Sequence, residues 1–185
     1  MNFEEFTQQA LRTESLVESA NINMKALVDI LDLYIAAGTV LDYFKKGIFY
    51  NNYTKYDENY VELVERMNDA LARFIDNKEE RHNLAGLDFR LVHGLLGVVT
   101  ESAEIAEHLT SYLEDGTVDP AGIGEEFSDV DWYKAVTFNR LNLSEEQCRT
   151  NVINKLKVRF PDKYSDEHAA NRNLDSERQQ LEMNI

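Results

Sequence analysis

Two spaced acid pairs are the residues of this chain with the clearest chemical potential. Glu101 and Glu104 lie in VVTESAEIAEHL, and Glu126 and Asp129 lie in GIGEEFSDVDWY. A separation of three puts two side chains on one helical face, with Cβ atoms about 5–6 Å apart. Each pair therefore presents two carboxylates in one direction. Apolar residues flank both pairs, so the acids are expected to be partly buried, where they repel one another unless a cation offsets them. Mg²⁺, a hard ion that takes oxygen ligands and retains waters, suits such a cluster beside a polyphosphate, with Mn²⁺ as the alternative. Either spacing alone occurs equally well on a solvated helix face. Glu107 and Glu125 are neighbouring acids open to a role as ligand or base, and Asp131 is open to facing either the site or solvent.

A second set of residues could hold phosphate. Lys155 and Arg159 are four apart, so on a helix both cations face one way. Arg offers a planar fork for phosphate oxygens and Lys a point charge. An exposed basic face, ion-paired to acids, is the plainer reading. The charge pattern accommodates both. No Lys or Arg occurs between Arg90 and Lys134, where ten Asp or Glu are found, and a basic run follows from Arg149 to Arg172. The net charge of −15 argues against binding a nucleic-acid polymer, because duplex affinity depends on Lys and Arg displacing counterions. It equally suits a non-catalytic acidic helical module that docks on a basic protein or mimics nucleic acid.

The elements that must position these residues read as helices throughout. The 185 residues include only 2 Pro and 8 Gly, and no segment shows a convincing strand pattern. Apolar spacing predicts helices over about 3–19, 23–46, 58–75, 87–113, 120–139, 145–160 and 166–181. Asp57, Asp119, Ser144 and Ser165 are the expected start signals, with Ser144 and Gln147 forming a capping box and Pro161 ending a helix. The aromatic stretch GIFYNNYTKYDEN and the polar DNKEERHNLAG read as connections. Gly38 weakens the second helix locally and could allow close helix packing. The helix around Leu95 is apolar over most of its circumference and is expected to sit centrally. Phe89, Trp132 and Tyr133 could stack a base or pack the core, and His93 on an apolar face reads as a core residue. The fold class is all-α, as a single domain over 1–185. The lone Cys148, the absence of a membrane-length apolar run and the polar N-terminus suit a cytoplasmic protein.

Three blocks, HGLLGVVTESAEIAEHL, GEEFSDVDWY and NKLKVRFPDKYSDEHAANRNLDSERQQLE, occur in order and together resemble the MazG-like all-α nucleotide pyrophosphohydrolases, especially the compact phage type. The resemblance spans about residues 89–182. It implies a four-helix-bundle core preceded by an N-terminal helical extension over 1–88, most of which does not match. It implies Mg²⁺ held by Glu101, Glu104, Glu126 and Asp129, and phosphate held by Lys155 and Arg159, with Asn171 and Arg172 as further phosphate or sugar contacts. The implied reaction takes a nucleoside triphosphate, expected to be a deoxynucleotide, to monophosphate and pyrophosphate. Glu101 or Glu104 would hold or deprotonate the water. The implied role is nucleotide-pool control or house-cleaning, in a host cytoplasm if the chain is phage-encoded. The resemblance also implies a homodimer or homotetramer. Asp131 departs from the family's apolar residue at that position. The LDYFKKGIFY segment, Leu41 to Tyr50, echoes one that follows the first acid motif in relatives, but here it lies upstream without the acids.

Overall fold

A computed structural model describes residues 1–52, 54–77 and 82–183. The fold is all-α. Among the described residues the helices are α1 (Phe3–Ala10), α2 (Met24–Tyr50), α3 (Thr54–Asn77), α4 (Phe89–Asp115), α5 (Pro120–Leu141), α6 (Glu145–Arg159), α7 (Asp166–Ala170) and α8 (Leu174–Leu181). Their ends follow local side-chain chemistry. Asn2, Asn23, Asp88, Asp119, Ser144, Ser165 and Asn173 each accept a first-turn backbone N–H of the helix they precede. Asn51, Gly116 and Asn142 close α2, α4 and α5 in the left-handed region.

Several boundaries depart from expectation for identifiable reasons. α2 runs on through Tyr50 into the aromatic stretch expected to be a connection, and α3 starts at Thr54, so Asp57 lies inside it rather than at its cap. Only half of the predicted capping box forms: Ser144 accepts from Gln147 N, while the Gln147 amide donates to Asn151 Oδ1 at 2.7 Å. The last predicted helix is two, because Asn173 supplies a second cap and restarts the chain as α8. The expectation of no strand also needs correction. β1 (Ser19–Ile22) and β2 (His82–Ala85) pair antiparallel, Ser19 with Ala85 through Ile22 with His82. Four residues are too few to establish a period of two in sequence, and the pairing is between distant segments.

The chain divides into two compact units, one of Ser19–Ala85 and one of Met1–Glu18 with Gly86–Ile185. In the first, α2 and α3 form a helical hairpin whose narrow core includes Ala26, Ala36, Leu63 and Ala70. A charged seam fixes its register. Arg73 reaches Asp29 Oδ1 at 2.8 Å and Asp32 Oδ2 at 2.7 Å, and Arg66 Nε reaches Asp32 Oδ1 at 2.8 Å. Asp29 is buried, and Arg73 compensates its charge.

In the second unit α4 packs along α5, α1 lies on α5, and α6 packs on α8. α1 and the turn after it are pinned by an edge-on Phe3–Phe138 contact at 5.9 Å and by Trp132 Nε1 donating to Thr13 Oγ1 at 3.1 Å. Arg90 closes the turn with two hydrogen bonds to the buried Glu14 carboxylate at 2.6 and 2.7 Å. Asn151, 1% exposed, ties α6 to α8 by donating to the carbonyls of Leu181 and Met183. The central position expected for α4 is not what the structure has. Leu95 is 53% exposed: α5 packs along α4, and the position of Leu95 on α4 is not covered among the described residues. No helix among the described residues is long and apolar enough to cross a membrane.

Candidate metal centre

The close approach of α4 and α5 is set by two glycines. A Cβ at Gly97 would run into the Tyr133 ring, and one at Gly94 would meet Thr137 Oγ1 and the Tyr133 carbonyl. With α5 seated that tightly, the next turn of α4 carries Glu101 into the interface at 8% exposure. Asp119 caps α5 and Pro120 opens it, which sets the phase that turns Glu126 and Asp129 toward Glu101. Ligand oxygens of Glu101, Glu126 and Asp129 all lie within 4.8 Å of one another. Glu104, the fourth predicted member, is exposed and stands outside this trio.

The electrostatics of the cluster are one-sided. Burial pushes the Glu126 carboxyl above its ordinary value, and the charges of Glu104 and Glu101 push it further. Tyr133, against the same face, is raised first by burial and then by Glu101, Asp129 and Glu104. Among the described residues no Lys or Arg pairs with any of the four acids. Their nearest cationic candidate is His108, with Nε2 at 4.0 Å from Glu126 Oε1. The donors are all oxygens, and two oxygens bound to one Mg²⁺ at about 2.1 Å lie within about 4.2 Å of each other. A trio spread over no more than 4.8 Å meets that with small side-chain rotations, so the residues fit a hard divalent ion.

His108 was missed from the sequence, though the signal was present. Spacings of three and four place Glu101, Glu104 and His108 on one stripe of α4. Gly122 at the start of α5 leaves room for the imidazole, whose Cε1 would lie 2.6 Å from a Cβ there. Other candidates resolve. Asp131 pairs with Lys134 at 2.7 Å and is half exposed, so it faces away from the cluster. His93 packs edge-on against Trp132 and Tyr133, both at 5.5 Å, in the aromatic core behind the site.

Two of the four predicted phosphate residues, Arg159 and Arg172, share one buried acid. Glu177, 3% exposed, accepts from Arg159 Nε at 2.9 Å and from Arg172 Nη2 at 2.7 Å. These two guanidiniums hold its pKa at about 2. Asn171 closes α7, its amide donating to the Glu167 carbonyl at 3.0 Å. Lys155, one turn before Arg159, makes no ion pair among the described residues. No hydrogen bond or ion pair there links Lys155, Arg159, Asn171 or Arg172 to the carboxylate trio. No family model, curated protein or solved structure matches this chain.

Proposed function

We propose that this chain is a MazG-like nucleoside triphosphate pyrophosphohydrolase, using Mg²⁺ or Mn²⁺ held by Glu101, Glu104, Glu126 and Asp129. The observation that carries the reading is the convergence of Glu101, Glu126 and Asp129 within 4.8 Å at a helix interface with no Lys or Arg to neutralise them among the described residues. Folding acids together in that way is unfavourable unless a cation belongs there. A bound divalent ion would neutralise polyphosphate charge and acidify an attacking water. Glu101, being buried, is suited to orienting that water. Glu104, more exposed and next to the trio, is suited to accepting its proton. Arg159 and Arg172 share a single carboxylate, so one positive charge is left over. With Lys155 it would steady the outgoing pyrophosphate, and Asn171 would add an amide contact. The substrate is a deoxynucleotide, the catalytic region a four-helix core, and the setting cytoplasmic.

The test is a panel of canonical and modified nucleoside triphosphates with Mg²⁺, assayed for monophosphate and pyrophosphate. Release of orthophosphate alone, or turnover that survives Glu101→Gln and Asp129→Asn, would overturn the reading. The engagement of Arg159 and Arg172 by Glu177 favours a second reading, a non-catalytic acidic helical module. Divalent ions separate the two, since a ligand of the native state raises the melting temperature. An unchanged melting temperature with Mg²⁺, Mn²⁺ and nucleotide would favour the second.

A further inference from the structure

α4 and α5 pass each other antiparallel in a register fixed by two contacts. A Cβ on Gly97 would meet the Tyr133 ring, and a Cβ on Gly122 would meet the His108 ring at 2.6 Å. Eleven positions separate Gly97 from His108 on α4, and eleven separate Gly122 from Tyr133 on α5. The same register sets Glu101 level with Asp129, Glu104 with Glu126, and His108 with Gly122. Glu126 is the middle rung. On one side it joins Glu101 and Asp129 in the carboxylate trio. On the other, its Oε1 stands 4.0 Å from His108 Nε2. The imidazole is held in that place. Its side chain is 24% exposed, and Gly122 leaves it room that an alanine would take. Among the described residues the ring makes no hydrogen bond, and its ionic contact is Glu126.

We propose that His108 is the nitrogen ligand of a second divalent ion, with Glu126 as the bridge to the trio and Glu104 as the third ligand. The inference rests on the metal-centre reading given above. Two donors on one such ion, each about 2.1 Å from it, lie at most about 4.2 Å apart. The 4.0 Å between His108 and Glu126 therefore fits a shared ion as it stands. His108 does not belong to the trio, whose ligand oxygens lie within 4.8 Å of one another, so its ion is a separate one. Glu104 lies one turn before His108 on the same stripe of α4, and, being exposed, it must rotate inward to join. Its charge raises the Glu126 carboxyl more than that of Glu101 does. Glu104 has two oxygens, so ligation here leaves one for the water assigned to it. An imidazole donor also changes the choice of ion. Mg²⁺ favours all-oxygen shells, whereas nitrogen strengthens the binding of Mn²⁺ and, further along the series, of Co²⁺. The trio suits Mg²⁺, and the His108 site prefers Mn²⁺ or Co²⁺ to it.

The experiment is calorimetric titration of the tag-free full chain with Mn²⁺, read alongside the electron spin-echo modulation of the bound ions. The wild type should bind two ions per chain, one of them coupled to an imidazole nitrogen. His108→Gln should abolish the coupling and weaken the second ion at least about tenfold, since even partners one shell further out contribute that much. Gly122→Ala keeps His108 but fills the room its ring occupies, and should abolish the coupling with unchanged circular dichroism. If His108→Gln fails to fold, Gly122→Ala still decides. Glu101→Gln should remove the uncoupled ion and leave the coupled one. Excess Mg²⁺ should displace the uncoupled ion first. One bound ion without nitrogen coupling would overturn the role of His108 and leave the trio as the metal centre. Coupling that persists in His108→Gln, or a coupled ion that Mg²⁺ displaces first, would also overturn the proposal. No Mn²⁺ binding at all would overturn the metal-centre reading with it.

Discussion

At Glu126, burial and three neighbouring acids, Glu104, Glu101 and Glu125, all oppose ionisation. A carboxyl whose folded pKa lies above its unfolded value adds stability below that unfolded value and loses it as pH rises through the folded one. At neutral pH the group is therefore a source of repulsion until a cation binds. Glu126→Gln is expected to raise the melting temperature of the cation-free protein at pH 7 and to abolish stabilisation by Mg²⁺ or Mn²⁺. A fall in the cation-free melting temperature would show that repulsion does not dominate. Glu177 has the opposite sign. Its pKa is depressed to about 2, so its contribution is complete above the ordinary value of 4.5 and is lost as pH falls from there towards 2. The whole shift corresponds to about 3 kcal/mol, which solvent screening at Arg172, 42% exposed, reduces to about 1–2 kcal/mol. Glu177→Gln should lower stability by that amount at pH 7, and the gap to wild type should close near pH 2 in denaturant titrations. Of the four acids expected together, the spacing of three does put Glu126 and Asp129 beside Glu101. Glu104, also three residues from Glu101, is exposed and outside the trio, because how far α5 covers α4 is not written in the spacing. The Glu177 pairing was not legible in the sequence, since its partners Arg159 and Arg172 lie on separate segments and meet only after α8 folds back onto α6.

Helix packing decides whether correctly spaced acids converge. Gly94 and Gly97 let α5 settle against α4, so a single methyl at Gly97 has no room except by displacing the Tyr133 ring. Gly97→Ala should cost about 1–3 kcal/mol from overpacking, although alanine favours helix. It should also weaken Mn²⁺ binding measured calorimetrically, because Glu101 moves with α4 and Glu126 with α5. Unchanged affinity would mean that the trio tolerates a wider helix separation. Asn151→Leu should likewise destabilise, by about 1–3 kcal/mol, through the unsatisfied carbonyls at the end of α8. Helices and their caps were largely readable: Asp119-Pro120 opens α5, and Ser144 opens α6, as their local chemistry requires. Where the reading failed, the deciding forces were not local. β1 and β2 are held by each other, and the exposure of Leu95 follows from what does not cover α4.

At the scale of the whole chain, the part that resembles a catalytic region and the part that does not are separate compact bodies. α1 belongs with the former, although 1–88 read as one extension. Replacing 19–85 by a short Gly-Ser linker is expected to leave a folded protein that still gains thermal stability with Mg²⁺ or Mn²⁺. Loss of the divalent-ion effect in a folded deletion variant would show that the proposed metal centre depends on the 19–85 unit. The expectation rests on the β1–β2 ribbon. Because Ser19 and Ala85 are register partners, the chain departs and returns at points about 5 Å apart. The ribbon is thus a splice point. What lies beyond it can be lengthened, exchanged or removed as a cassette without displacing the three acids of the other unit.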